Sequence, residues 1–369
     1  MATVLITGGA GFIGSHACLV LIEAGHKVVI IDSLQNSSMK AIHRVAQICK
    51  LRRCPEAAHH TWRSDSGAIQ LILVRGDIRN PTDIDTAFEV HLQSQECSQK
   101  SGVNAVMHFA GLKAVGDSIR DPLSYWSVNV EGSRTLLAGM RRHECRTIVF
   151  SSTAALYGFP ESLPIDENAR IQPVNPYGHT KAAVEQLLAD VADSEPGWRI
   201  ARLRYFNPVA AHPSGQIGED PNGVASNLFP LITQAALGLQ PHVQIYGSDW
   251  ETPDGTGIRD FIHVMDLADG HKLALEVLLA EPEQIMTLNL GSGRGHSVLE
   301  MIHAFEKING CRVPYRFAPR RPGDVAMSVA DPSSARNRLG WTTKRSLADI
   351  CRDGWTWRQQ NRNGYRTNR

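Results

Sequence analysis

The chain opens on a short apolar run, Val4-Leu5-Ile6, followed by glycines at Gly8, Gly11 and Gly14 and then by an apolar-rich stretch through Leu19, Val20, Leu21 and Ile22 that stops at Gly25. A buried strand, a tight turn and a helix satisfy that order. Gly8 permits the tight turn, Gly11 lets backbone N–H groups approach a pyrophosphate, and Gly14 lets the helix pack closely on the strand. The helix start then offers unpaired donors and a favourable dipole to phosphates. A second apolar run, Lys27-Val28-Val29-Ile30-Ile31, ends at Asp32. A carboxylate there accepts hydrogen bonds from an adenosine ribose and repels a 2′-phosphate, so NAD is expected rather than NADP.

Apolar runs recur with helical stretches between them. Ile69 to Val74 leads into Gly76-Asp77-Ile78-Arg79, Ala105 to Phe109 into Ala110-Gly111-Leu112-Lys113, and Thr147 to Phe150 into Ser151-Ser152-Thr153. This alternation predicts an α/β fold built on a doubly wound parallel sheet, whose crevice lies at the carboxyl ends of the strands. A chain of 369 residues is too long for one minimal core. A nucleotide domain is expected over 1–205. A smaller α/β domain is expected mainly over 206–369, with some chain returning to the first. Polar stretches near 52–67 and 93–102 read as surface insertions without chemistry.

Composition excludes several classes. The net charge of +1 and the absence of a lysine-rich tract give no footing for nucleic acid. The seven cysteines are scattered with no C-x-x-C, which suits reduced thiols and leaves no expected metal site. His59-His60 reads as surface, and the tail arginines Arg358, Arg362, Arg366 and Arg369 read as solvated. No apolar run reaches membrane-spanning length, so a cytoplasmic protein with no membrane role is expected. Ser297 to Glu300 reads as a helix capping box, and Asp266 as an N-cap.

The catalytic reading rests on Asn175-Pro176-Tyr177-Gly178-His179-Thr180-Lys181, which opens a helix continuing through Val184, Leu187 and Leu188. Tyrosine and lysine at this spacing share one helix face. A free phenol has a pKa of ~10 and is a poor base at neutral pH. A nearby ammonium and a nicotinamide cation both favour the phenolate, poising it for general base catalysis. Thr153 places a hydroxyl where it can share the substrate proton. Such a pair arises easily by chance; here it follows a glycine turn and a strand-end hydroxyl in the right order.

With these motifs the chain resembles the extended short-chain dehydrogenase/reductases, in which G-x-x-G-x-x-G spacing is typical. Within them it resembles the UDP-glucose 4-epimerase family. The stretches that carry the resemblance are His108 to Gly116, Leu203 to Pro208, Gly215 to Asp220, Asp254 to Asp260 with His263 to Asp266, and Phe317 to Asp324. The resemblance implies a Rossmann-type fold, a resident NAD, a UDP-hexose substrate and a homodimer paired through helices around 129–142 and 177–192. It implies that Tyr177 takes the proton of the sugar 4-hydroxyl while NAD oxidises C4, and that the 4-keto sugar turns over before reduction from its other face. Lys181 and Thr153 assist. By the same resemblance Phe12, Ile13, Asn36, Asp77, Ile78, Phe109, Ala110, Gly111, Lys113, Asn129, Ser151, Tyr177, Lys181 and Tyr205 join the glycines and Asp32 around NAD. Lys113, Phe206, Asn207, Asn227, Leu228, Gln244, Tyr246, Arg259, Arg321, Asp324 and Ser328 join Thr153 and Tyr177 around the UDP-sugar. Guanidinium forks suit the diphosphate.

Two positions depart from the family pattern. Thr153 stands where serine is common; it keeps the hydroxyl and adds a methyl that restricts χ1. Ser328 stands where a residue of variable bulk gates the sugar pocket, and a small residue there leaves room for a 2-acetamido group. Turnover of UDP-N-acetylglucosamine and UDP-N-acetylgalactosamine is therefore expected beside the plain hexoses. A dehydratase or decarboxylase on a nucleotide sugar would need an acid–base residue where Ala154 and Ala155 stand. A non-catalytic NAD sensor would be expected to lose the tyrosine or the lysine.

Overall fold

A computed structural model describes residues 1–90, 102–221, 227–321 and 323–366. The insertion expected at 93–102 falls almost wholly outside the described residues, as do Cys97, Pro322 and Arg369.

The strands are β1 (Thr3–Thr7), β2 (Lys27–Asp32), β3 (Arg52–Cys54), β4 (His60–Arg63), β5 (Ile69–Arg75), β6 (Ala105–His108), β7 (Thr147–Thr153), β8 (Arg199–Tyr205), β9 (Asn207–Val209), β10 (Val243–Tyr246), β11 (Ile258–His263), β12 (Gln284–Leu290), β13 (Gly295–Ser297), β14 (Tyr315–Ala318) and β15 (Met327–Ser328). The helices are α1 (Phe12–Glu23), α2 (Met39–Ile48), α3 (Pro81–Glu89), α4 (Val115–Arg120), α5 (Pro122–Tyr125), α6 (Gly132–Arg142), α7 (Pro176–Ser194), α8 (Leu228–Ala236), α9 (Val264–Ala280), α10 (Val298–Asn309), α11 (Ser333–Leu339) and α12 (Leu347–Gln360). A π-helical turn, Trp126–Glu131, joins α5 to α6.

The main sheet has nine strands in the order β12-β8-β7-β6-β1-β2-β5-β4-β3. β5, β2, β1, β6 and β7 pair in parallel, and β1 lies between β2 and β6. The all-buried β1 and β7 explain why these runs lack polar alternation: both faces of such a sheet are covered. This is the doubly wound α/β fold that the apolar runs predict.

Four expectations are corrected. Part of the 52–67 stretch forms the strands β3 and β4, which extend the sheet as an antiparallel edge on β5. Thr61 and Trp62 are buried there, and the Trp62 ring meets His43 at 5.6 Å and His60 at 6.4 Å. His60 is thus half-buried, its pKa lowered by burial and by Arg53. Arg358 is not solvated: it is buried in α12, and burial lowers its pKa while the Asp220 carboxylate opposes that. Asp266 lies inside the first turn of α9, where its carboxylate accepts the Lys344 and Arg345 backbone N–H groups at 3.1 and 3.0 Å. The Ser297–Glu300 capping box is present.

The chain divides into two compact units. The first comprises Met1–Ser152, Asn175–Leu203 and His271–Thr287; the second comprises Thr153–Val174, Arg204–Gly270 and Leu288–Arg369. Leu5, Val29, Ile31, Ile72, Val106 and Ile148 from the sheet pack with Leu136, Val184, Leu188 and Trp198 in the first core. In the second, Phe229, Phe305 and Trp355 pack edge to face at 5.9 and 5.4 Å. There β11 carries β9, β13 and β15, and β10 pairs with β14 in parallel. Among the described residues the cysteines are all free, no cluster could hold a metal, and no helix is long and apolar enough to cross a membrane.

Candidate active site

The turn from β1 to α1 is shaped by what its glycines lack. Gly8 has φ +69, and a Cβ there would lie 2.7 Å from the Ala110 nitrogen. A Cβ on Gly14 would collide with the Gly8 carbonyl, so α1 can sit on its own turn only with glycine there. Gly9 was not singled out from sequence, yet its Cβ would lie 2.7 Å from Ile30 of β2. Gly11 is the N-cap of α1 and offers no side chain to the first turn, which contains Phe12, Ile13 and Gly14. The turn therefore presents uncapped backbone N–H groups and the positive end of the helix, the donor set a pyrophosphate needs.

Asp32 closes β2 and is buried. Its carboxylate accepts Ala10 N–H at 2.9 Å, Leu34 N–H at 2.9 Å and the Ser37 hydroxyl at 2.7 Å. It thus pins the glycine turn to the loop holding exposed Asn36. Asp77 follows β5 and is paired with Arg79 at 2.6 Å, which holds its carboxyl below the usual range. Ile78 is buried, and only a glycine at 132 leaves space for its side chain. Phe109 meets the His271 ring at 4.8 Å, and the Lys113 ammonium stands 6.0 Å from the Phe12 ring centre. These residues fit a dinucleotide: a glycine cradle that any Cβ would fill, open donors at a helix start, and an acid at the end of the second strand.

The second half of this unit carries the proton chemistry. Asn175 caps α7 by accepting Gly178 N–H at 2.9 Å, and Pro176 occupies the first helical position. Tyr177 therefore stands in the first turn, with Lys181 one turn further on. The Lys181 ammonium is buried, donates to the Ser151 carbonyl at 2.8 Å and lies 4.8 Å over the Phe150 ring. Burial lowers its pKa to about 8, opposed by the Glu185 charge. At neutral pH it remains a cation.

Glu185, one turn beyond Lys181, escaped the sequence reading. It is buried and accepts the Ser152 hydroxyl at 2.5 Å. The signal was available, since Tyr177, Lys181 and Glu185 repeat at helical spacing on the face that meets β7. Asn129 sits in the π-helical turn. Its amide accepts Leu112 N–H at 2.8 Å and donates to the Leu112 carbonyl at 3.1 Å and the Thr180 hydroxyl at 3.0 Å. The loop from Ala110 to Leu112 is thereby held to α7: a Cβ on Gly111 would lie 3.8 Å from the Lys181 ammonium. The same loop abuts Gly8, so one short loop links the nucleotide turn to the tyrosine–lysine helix.

In the second unit, Thr153 ends β7 and its hydroxyl accepts Ala155 N–H at 3.1 Å. Arg259, Tyr246, Arg321, Asp324 and Ser328 converge. Burial lowers the Arg259 pKa, Asp324 raises it and Arg321 lowers it, which sets all three charges close together. Arg321 lies 4.5 Å over the Tyr246 ring and pairs with Asp324 at 3.0 Å. Tyr246 donates to Gln244 at 2.8 Å, and Ser328 is in register with Arg259 across β15 and β11. Two guanidinium groups thus stand beside one carboxylate and an aromatic ring, and guanidinium donors of this kind suit anionic oxygens. Tyr205 ends β8, Asn207 begins β9, and Phe206 packs with Tyr157, Ile165 and Ala330. Leu228 opens α8, and the Asn227 amide donates to Glu219 at 2.8 Å.

A GDP-mannose 4,6 dehydratase family model matches residues 5–354. The chain is 44% identical to a UDP-glucose 4-epimerase of Bacillus subtilis over 364 residues, 99% of each chain. The chain belongs to the UDP-glucose 4-epimerase family. Solved epimerases agree with that in fold. One, from Stenotrophomonas maltophila with bound NAD and formylated UDP-arabinopyranose, is 46% identical over 98% of each chain with a TM-score of 0.87. Another, from Bifidobacterium longum in complex with NAD+ and UDP, is 41% identical with a TM-score of 0.86, over 98% of this chain and 99% of that one. The epimerases are isomerases, and membership disfavours the dehydratase reading.

Proposed function

We propose that the chain interconverts UDP-glucose and UDP-galactose by inverting the fourth carbon of the hexose, with NAD as resident cofactor. The observation that carries this reading is the buried Lys181 cation one helical turn from Tyr177, tied through the Ala110–Leu112 loop to an uncapped glycine turn. Bound NAD supplies a two-electron acceptor that takes up and returns the hydrogen on the sugar's fourth carbon. Tyr177, as phenolate, accepts the proton of the 4-hydroxyl, leaving a 4-keto sugar. The Lys181 cation favours that phenolate and holds it through the cycle. The Thr153 hydroxyl shares the same oxygen. Tyr177 then returns the proton once the keto sugar has turned its other face. Gly8, Gly11, Phe12, Ile13 and Gly14 hold the pyrophosphate, and Asp32 the ribose.

In this reading the first unit is the NAD-binding domain and the second the UDP-sugar-binding domain. Arg259 and Arg321 neutralise the diphosphate, Tyr246 lies on the uracil, and Asp324 meets the uridine ribose. Ser328, beside Arg259, is small enough for a 2-acetamido group, which supports turnover of the N-acetylhexosamines. We also propose a cytoplasmic homodimer. Its support is the exposure of the apolar side chains Ile119, Leu123 and Trp126, at 58%, 79% and 43%, in the chain that leads into the helix around 129–142. Light scattering checks that mass.

Purified protein given UDP-galactose without added NAD is expected to form UDP-glucose. Protein that carries stoichiometric NAD yet forms no product would overturn the proposal.

A further inference from the structure

We infer that the carboxyl-terminal segment from Trp357 to Tyr365 is a clasp that positions substrate-binding Asn227 through the loop before it. The inference rests on the assignment of Asn227 to the UDP-sugar above. The clasp grips Gly215 to Asp220, a stretch singled out in the sequence whose role the catalytic reading leaves unassigned.

The contacts run to loop backbone, to loop glycines that leave room, and to the Asp220 carboxylate. The Tyr365 hydroxyl accepts Gly218 N–H at 3.1 Å and donates to the Gly218 carbonyl at 3.3 Å. The Tyr365 backbone N–H donates to Asp220 at 2.7 Å. Asn361 donates to the Gly215 carbonyl at 2.9 Å, and the Trp357 indole donates to the Glu219 carbonyl at 3.3 Å. A Cβ on Gly218 would lie 2.6 Å from the Trp357 ring, and one on Gly215 2.5 Å from Gln360. Gly364, with φ +64, lies against the Asp220 carboxylate, leaving no space for a side chain. Tyr365, Asn361 and Trp357 are all buried, and the Tyr365 and Trp357 rings meet at 4.8 Å.

The loop so held carries Glu219, whose carboxylate accepts the Asn227 amide at 2.8 Å. Fixing the Glu219 backbone from both sides fixes the acceptor that orients Asn227. Asn227 itself is exposed, and Glu219 is the hydrogen-bond acceptor of its amide among the described residues. Tyr365, Asn361 and Trp357 are thus positioning residues for UDP-sugar binding, far along the chain from the amide they serve.

Tyr365→Phe keeps the ring on Trp357 and removes both hydroxyl hydrogen bonds. We expect KM for UDP-galactose to rise about fivefold, the effect of about one lost hydrogen bond, with kcat within twofold of the parent and NAD content unchanged. A purely structural role would instead lower kcat, NAD content and melting temperature together. Glu219→Ala, which removes the acceptor of the Asn227 amide, should raise KM without altering kcat, and in combination with Tyr365→Phe should add little. If Asn227→Ala leaves KM unchanged, the substrate assignment of Asn227 is wrong. If Asn227→Ala raises KM while Tyr365→Phe does not, the assignment stands and the clasp is refuted.

Discussion

Replacing Glu185 with glutamine tests the electrostatics beneath Tyr177. The amide keeps an acceptor for the Ser152 hydroxyl and loses only the charge. Lys181 sits at a pKa of about 8 because burial lowers it and Glu185 partly restores it. At pH 7 about nine in ten molecules then hold the cation. Removing a buried carboxylate one helical turn away is expected to lower that pKa by about one pH unit, roughly 1.4 kcal/mol. About half the molecules would then hold the cation at pH 7. The sign is fixed: the phenolate depends on a protonated Lys181, so this contribution is full at low pH and is lost as pH rises through the Lys181 pKa. In Glu185→Gln the loss begins about one pH unit earlier. Initial rates with UDP-galactose from pH 6 to pH 9 should nearly coincide at pH 6 and differ about threefold at pH 7.5. Superimposable profiles would refute the argument, because Glu185 would then be electrostatically silent toward Lys181.

Other perturbations separate the parts of the site. Tyr177→Phe should lower kcat at least a hundredfold, the usual range for a lost general base, while NAD measured after denaturation stays at one per chain. Gly14→Ala forces a methyl against the Gly8 carbonyl, so it should cost about 1–3 kcal/mol in chemical denaturation and reduce NAD content. Ser328→Tyr should abolish turnover of UDP-N-acetylgalactosamine and keep that of UDP-galactose; equal loss of both would show that Ser328 does not gate the sugar.

Short-range constraints were legible in the sequence. The β1–turn–α1 unit is written in Val4 to Gly14, since a turn this tight, with a helix packed on it, excludes side chains at fixed places. The Tyr177–Lys181 spacing likewise encodes one helix face. The alternation of apolar runs announced the parallel sheet, because strands covered on both faces lose their polar residues. What the sequence could not show depends on distant neighbours. Trp62 looked like part of a polar insertion until β5 gave its strand an edge to pair with. Arg358 read as a solvated tail charge until α12 buried it near Asp220. Helical spacing places Glu185 on the Tyr177–Lys181 face, but its partner, the Ser152 hydroxyl at 2.5 Å, is supplied by β7. Glycines at 218, 215 and 364 are enforced from far along the chain: the Trp357 ring, the Gln360 amide and the Asp220 carboxylate, respectively, leave no space for a side chain there. Local sterics are set by residues a few positions apart. Burial, and with it the pKa of Lys181, is set by which remote elements close over a group and remove its water.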